Sequence, residues 1–215
     1  MAFNLRHFNN VTSGKAAGPR MWAYNSTTDT LATIIADDYF ADVGRSLTAN
    51  DQIYCLGTDG YGTFQVLSAS ATSVVLGSSV GSASTRTTIA TAAVLLLATT
   101  PAELVAAPGA GKILLFDTAH FQLDYATTQY TESADNLVVK YTSAAGVAVS
   151  TVVECTGFID QAADTSTRAL AVLDAIVANS ANENAALVLD NNNANFAAGD
   201  SPLIVDTYYR VLAGV

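Results

Sequence analysis

Residues 112–126, KILLFDTAHFQLDYA, decide the fold class. Counted by two, Leu115, Ala119, Phe121, Leu123 and Tyr125 share one register, which Asp117 interrupts, and Phe116, Thr118, His120, Gln122 and Asp124 fill the other. Strand side chains alternate between faces, so this is the pattern of a half-buried strand with a bulge near Asp117, where the alternation fails.

Working outward from that strand, the C-terminal half carries further strand patterns. ELVAA (103–107) precedes it; NLVVKYTS (136–143) and VAVSTVVECTGF (147–158) follow it, with a reversal at Ala144–Gly146. ALVLDNN (186–192) and PLIVDTYYRVLAG (202–214) close the sheet. RALAVLDAIVA (168–178) reads as a helix, because Leu170, Leu173, Ile176 and Val177 recur at intervals of three and four. The expectation for residues 101–215 is a jelly-roll-like sandwich with one helix over Arg168 to Val177.

The N-terminal half reads as short strands separated by turn chemistry. RMWAY (20–24), TLATIIADDYF (30–40), QIYCLG (52–57), GTFQVLSAS (62–70) and TSVVLGSS (72–79) are the strand candidates. Asp59-Gly60 is a favoured pair for a tight hairpin reversal. Five strands over residues 20–80 predict a small β-barrel or meander. Residues 77–91, GSSVGSASTRTTIAT, hold one charge, Arg86, and suit a linker. TAAVLLLA (91–98) reads as a short helix capped by Thr88 or Thr91 and ended before Pro101, or as a buried strand. The predicted organisation is an extended arm (1–19), a small β domain (20–80), a linker with a short helix (81–100) and a sandwich domain (101–215), mainly β throughout.

Composition agrees with that class. Half of the 215 residues are hydrophobic and 13% are charged, which excludes a chain too polar to bury a core. Long helices take their surface from Glu, Lys, Arg and Gln, and the Lys and Glu of this chain are scarce. The net charge of -10 argues against nucleic acid as a partner, since phosphates are held by clustered Lys and Arg. The charge is also divided unevenly: residues 1–20 carry Arg6, Lys15 and Arg20 with no acid, giving +3, while the other 195 residues sum to -13. With Phe3, Leu5 and Phe8 as apolar anchors, this is the pattern of an arm that docks on an acidic neighbour. The candidate partner-binding residues are therefore Phe3, Leu5, Arg6, Phe8, Lys15 and Arg20.

Membrane and export signals are not expected. The most apolar run, Ile89–Ala98, is about half of the roughly 20 residues that span a bilayer. Asn10-Val-Thr and Asn25-Ser-Thr match the glycosylation pattern, which matters only in a secreted chain. Cys55 and Cys155 lie a hundred positions apart in strand-like runs and are expected as buried free thiols in a reducing cytosol.

Motifs for chemistry fail on spacing. Gly109-Ala-Gly-Lys112 has Ala106 where a phosphate loop needs its first Gly and Ile113 where it needs Ser or Thr. Asp190–Asn195 is dense in oxygens, yet Asn195 and Ser201 stand where a calcium loop requires Gly and Glu. Two Cys and two His, so scattered, do not make a zinc site. Asp37–Asp38 and Glu132 with Asp135 are the carboxylate pairs open to acid–base work, and solvated turn carboxylates are the commoner outcome. No enzyme, cofactor or metal is expected.

Three stretches carry a resemblance. WAYNSTTDTLATIIADDYFADVGRSLTANDQIYCLG (22–57) is similar to a segment of small tailed-bacteriophage virion proteins, with its aromatic pair, Asp-Thr, Tyr-Phe and an Asp before a strand. LVAAPGAGKILLFDTAHFQLDYATTQYTESADNLVVKYT (104–142) and FAAGDSPLIVDTYYRVL (196–212) resemble structural proteins of phage capsids. The resemblance implies a non-enzymatic capsid decoration or cement protein on the virion surface, assembled in the host cytoplasm. It also implies the major capsid protein and other copies of the chain as partners, with a homotrimer preferred. The alternative it leaves is a tail or receptor-binding component that recognises surface glycans.

Overall fold

The computed structural model describes residues 4–11, 19–132, 135–172 and 182–213. The chain is mainly β, as the alternation predicts, with its strands in two sheets. The larger sheet has nine strands. They are β1 (Phe8–Asn10), β2 (Met21–Asn25), β3 (Gln52–Leu56), β4 (Gly60–Ala69), β5 (Val74–Ser79), β6 (Ala83–Ile89), β8 (Lys112–Leu123), β11 (Thr165–Leu170) and β13 (Leu203–Ala213). Its order is β1-β2-β3-β4-β6-β13-β8-β11, with β5 paired to β4 off that path. The smaller sheet holds β7 (Ala102–Val105), β9 (Asn136–Tyr141), β10 (Val153–Glu154) and β12 (Leu187–Asn191) in the order β10-β9-β12-β7.

Only the β2–β3 pair is parallel among the described strands. A parallel pair needs a crossover, and residues 26–51 supply it. This is where the sequence reading of TLATIIADDYF as a strand is corrected. Leu31–Ile34 form a short helix, α1, whose N-terminus is capped by the Thr30 side chain accepting from the Thr33 N–H. Leu31, Ile34, Ile35 and Phe40 are buried there, so the apolar residues reach the core from turns instead of from a strand.

The predicted bulge at Asp117 is present, with a consequence for the register. Across the β8–β13 pair, Thr118 faces Tyr208 while Phe116 faces Tyr209, so Asp117 has no opposite number. One extra residue reverses the alternation. Leu114 and Phe116 point inward before the bulge, and Ala119, Phe121 and Leu123 after it. Leu115 and Phe116 therefore exchange the places that counting by two gave them. Asp117 itself accepts from Ser82 Oγ at 2.8 Å and from the Arg210 guanidinium at 3.1 Å, which satisfies the residue that the ladder leaves out.

The two sheets enclose one continuous core. Phe64, Phe116, Phe121 and Val205 from the large sheet pack in the same cluster as Leu104, Val139, Tyr141, Leu187 and Leu189 from the small one. Each such fully buried side chain contributes about 1.5–3 kcal/mol of apolar burial. Hydrogen bonds also cross between layers: Tyr141 donates to the Leu114 carbonyl, and Thr87 Oγ1 donates to the Leu104 carbonyl at 3.0 Å.

The linker expected over 81–100 is corrected. Its residues form β6 and a short helix, α2 (Thr91–Val94), and β6 pairs with β4 on one side and β13 on the other. The Ser and Thr of this stretch are β-branched or small residues on a half-buried strand, where they fit as well as in a tether. The N- and C-terminal halves thus share one sheet, and the expected boundary between two β domains falls inside it. The helix expected over Arg168 to Val177 is also corrected for its first part: Arg168–Leu170 belong to β11, paired to β8. Residues 173–177 lie outside the described residues. The expected arm over 1–19 is part of the body where it is described, since Phe8–Asn10 pair with β2 as the terminal strand of the sheet.

Candidate binding surfaces

The large sheet turns one face to the core and the other outward, and cross-strand pairing arranges the outward side chains in rows. One row runs Leu56, Tyr61, Ser84, Tyr208, Thr118, Leu170 across β3, β4, β6, β13, β8 and β11. The next row is polar: Arg86, Asp206, His120 and Arg168 face one another in turn. Their cores lie on the other side of the strands, through Ile53, Cys55, Phe64, Val205 and Tyr209.

Where these rows meet the β3–β4 turn there is a cleft of about 440 Å³, lined by residues 56–61 together with Ser84, Arg86, Asp206 and Tyr208. Tyr61 is 44% exposed and Tyr208 37%, with the small Ser84 between them. Tyr54 stands diagonally from Tyr61, their ring centroids 6.3 Å apart. At the end of the cleft Arg86 grips Asp206 through Nε at 2.6 Å and Nη2 at 2.7 Å. That bidentate pairing raises the Arg86 pKa and holds Asp206 below its ordinary value.

The turn that walls the cleft is held by its own bonds. Asp59 Oδ1 accepts from the Leu31 N–H at 2.7 Å, and the Asp59 carbonyl accepts from the Arg86 N–H at 2.7 Å. Gly60 is required by close approach, because a Cβ there would sit 1.8 Å from the Ser84 carbonyl oxygen.

The second surface is the N-terminal edge. Leu5 is 65% exposed on a single 3-10 turn (Leu5–His7), Val11 is 57% exposed just past β1, and Met21 is 38% exposed beside it. Val11 N–H donates to the Met21 carbonyl, so these two side chains are neighbours. Arg6 is exposed on the same turn.

The predicted arm residues separate into three groups. Leu5 and Arg6 face outward, as a docking role needs. Phe8 is buried against Trp22 and Phe40, and Arg20 pairs with Asp51 at 2.9 Å, so both engage this chain's own body. Phe3 and Lys15 lie outside the described residues. Asp51 is fully buried and accepts from Arg20 N–H, the Arg20 guanidinium, Trp22 Nε1, Thr48 N–H and Thr48 Oγ1. Burial pushes the Asp51 carboxyl up, but the donors from Arg20, Trp22 and Thr48 outweigh it and hold the carboxyl below its ordinary value.

The other sequence candidates come apart. Asp37 pairs with Lys112 at 3.0 Å, while Asp38 accepts from Ser73 Oγ and the Val74 N–H, so the two carboxylates do different structural work. Glu132 accepts from Thr156 Oγ1 and the Asp135 N–H, and Asp135 is buried, accepting from the Ala194 N–H. Asp190, at the head of the oxygen-rich loop, is buried and paired with Lys140 at 2.7 Å. No group of three or more His, Cys, Asp or Glu is placed to hold a metal among the described residues. No described helix is long and apolar enough to cross a membrane.

Counting by two in QIYCLG and DTYYRVL does place Tyr54 and Tyr208 opposite the core register. Nothing local shows that β6 lies between β4 and β13, which is what brings Tyr61 and Tyr208 to either side of Ser84. No family model, curated protein or solved structure matches the chain.

Proposed function

We propose that this chain is a non-enzymatic structural protein of a tailed-phage virion, fixed to the outer surface of the capsid as a decoration or cement protein. The observation that carries the reading is the N-terminal edge: Leu5, beside the basic Arg6 at one end of the terminal strand β1, and Val11 with Met21 at the other expose apolar area. Apolar groups of this size beside a cation are what an interface core and rim use, and the opposing surface they fit is apolar with acidic flanks. Residues 1–20 carry +3 against -13 for the rest; with Arg20 paired to Asp51 of the same chain, the exposed Arg6 is the described cation that fits the same picture, including contact with another copy of the chain. The partners in this reading are the major capsid protein and the chain itself, as a trimer.

The binding test adds purified protein to shells of its parent phage from which the protein has been stripped. Wild type should sediment with the shells, and L5D with V11D should not. A second reading, a tail or receptor-binding component, is favoured by the Tyr54–Tyr61 pair, and copy number separates the two. Hundreds of copies per particle support decoration, and a handful support the tail.

A further inference from the structure

We propose that the cleft between Tyr61 and Tyr208 is a binding site for a neutral saccharide. Neighbouring strands lie about 4.8 Å apart, so side chains two strands apart on one row stand roughly 10 Å apart at the backbone. That spacing admits one ring between two aromatic walls, each in van der Waals contact at about 3.5–4 Å. Ser84 between the two tyrosines keeps the floor low. Tyr54, paired with Tyr61 at 6.3 Å, continues the aromatic surface to a second ring along an oligosaccharide.

The polar end of the cleft matches hydroxyl groups. Arg86 uses Nε and Nη2 on Asp206, and its guanidinium has further N–H donors on Nη1. Each Asp206 oxygen, with one such bond, retains acceptor capacity. Donors and acceptors therefore stand side by side, and adjacent sugar hydroxyls, which both donate and accept, satisfy both. The pair is internally neutralised, and Asp59 is nearby, so an anionic ligand gains little here. The turn that leads into Tyr61 is set before binding, because Asp59 and Gly60 fix it against α1 and β6, which lowers the ordering cost of association. The site is separate from the N-terminal edge, with β2 between β1 and the nearest cleft strand, β3, which supplies Leu56.

The test is a printed glycan array probed with the labelled full-length protein, followed by calorimetric titration of the strongest neutral oligosaccharide. Binding to at least one neutral glycan is expected. Y61A and Y208A should each weaken it by at least about tenfold, as loss of an aromatic anchor does. S84L, which raises the floor, should abolish it with the thermal midpoint unchanged, and D206N should weaken it. Three results would overturn the proposal: no neutral glycan above background, binding unaffected by Y61A and S84L, or binding confined to anionic glycans or to choline as an aromatic-site cation. The shell assay is unaffected by these outcomes, since its variants leave the cleft intact.

Discussion

Phe8 lies stacked on Trp22, ring centroids 4.8 Å apart and planes 12° from parallel. The stack ties β1 to β2 and closes the aromatic cluster that includes Tyr24, Tyr39 and Phe40. An aromatic that would suit a docking arm is thus a packing residue of the body. F8A should destabilise the protein by about 3 kcal/mol, the usual scale for a buried Phe, as read from urea unfolding. L5A, by contrast, should stay within about 0.5 kcal/mol of wild type, as exposed positions do.

Asp51 makes stability depend on acid. Its carboxyl is held low in the folded chain, so it binds its proton more weakly there than in the unfolded chain, where the value is about 3.9. The stabilisation is present above that unfolded value and is lost as pH falls through the folded one. Unfolding free energy measured from pH 6 down to pH 2 should therefore decline. D51N should be less stable at pH 6, with a flatter decline, because the buried amide cannot accept all five donors. An identical slope in both proteins would assign the acid sensitivity elsewhere.

The Asp117 bulge is tested by neighbours. F116S, at a residue 2% exposed, should cost about 3 kcal/mol or more, while L115S, on the partly exposed side, should cost about 1 kcal/mol. Counting by two without the bulge gives the reverse order. Chemical denaturation of the two variants decides between them.

Both thiols are unpaired and buried. Burial pushes the Cys55 thiol far up, and burial together with the nearby carboxylates of Asp135, Glu132 and Glu154 pushes Cys155 up to about 12. The thiolate is the reactive form, so neither should react with a disulfide reagent at pH 8 in the native protein. Both should titrate after denaturation without reductant. Rapid reaction in the native state would contradict their burial.

What was legible in the sequence was local. Period-two alternation found the strands around Phe121, Val139, Leu189 and Val205, and the break at Asp117 found the bulge. Short-range pattern misled where tertiary contacts decide. TLATIIADDYF packs Leu31, Ile34 and Phe40 into the core from a capped turn of helix, because the parallel β2–β3 pair demands a crossover at that point. GSSVGSASTRTTIAT looks like a tether, and β6 is a strand because β4 and β13 supply partners on both edges. Leu170 opens a run of helical spacing, and Arg168–Leu170 are instead strand residues of β11 paired to β8. The cleft was invisible for the same reason, since Tyr208 reaches Ser84, and through it Tyr61, only by a pairing that spans more than a hundred residues.

The proposed attachment to a phage shell through the N-terminal edge is tested most directly by co-sedimentation. Wild type, L5D, V11D and R6E are mixed with stripped shells of the parent phage, and the bound fraction is measured against protein concentration. Exposed positions tolerate these changes, so thermal midpoints should match wild type within the shift of about 0.5 kcal/mol. Wild type should saturate the shells, with L5D and V11D at least about tenfold weaker and R6E weakened most at low salt. Equal binding by all four proteins, or no binding by wild type, would contradict the account.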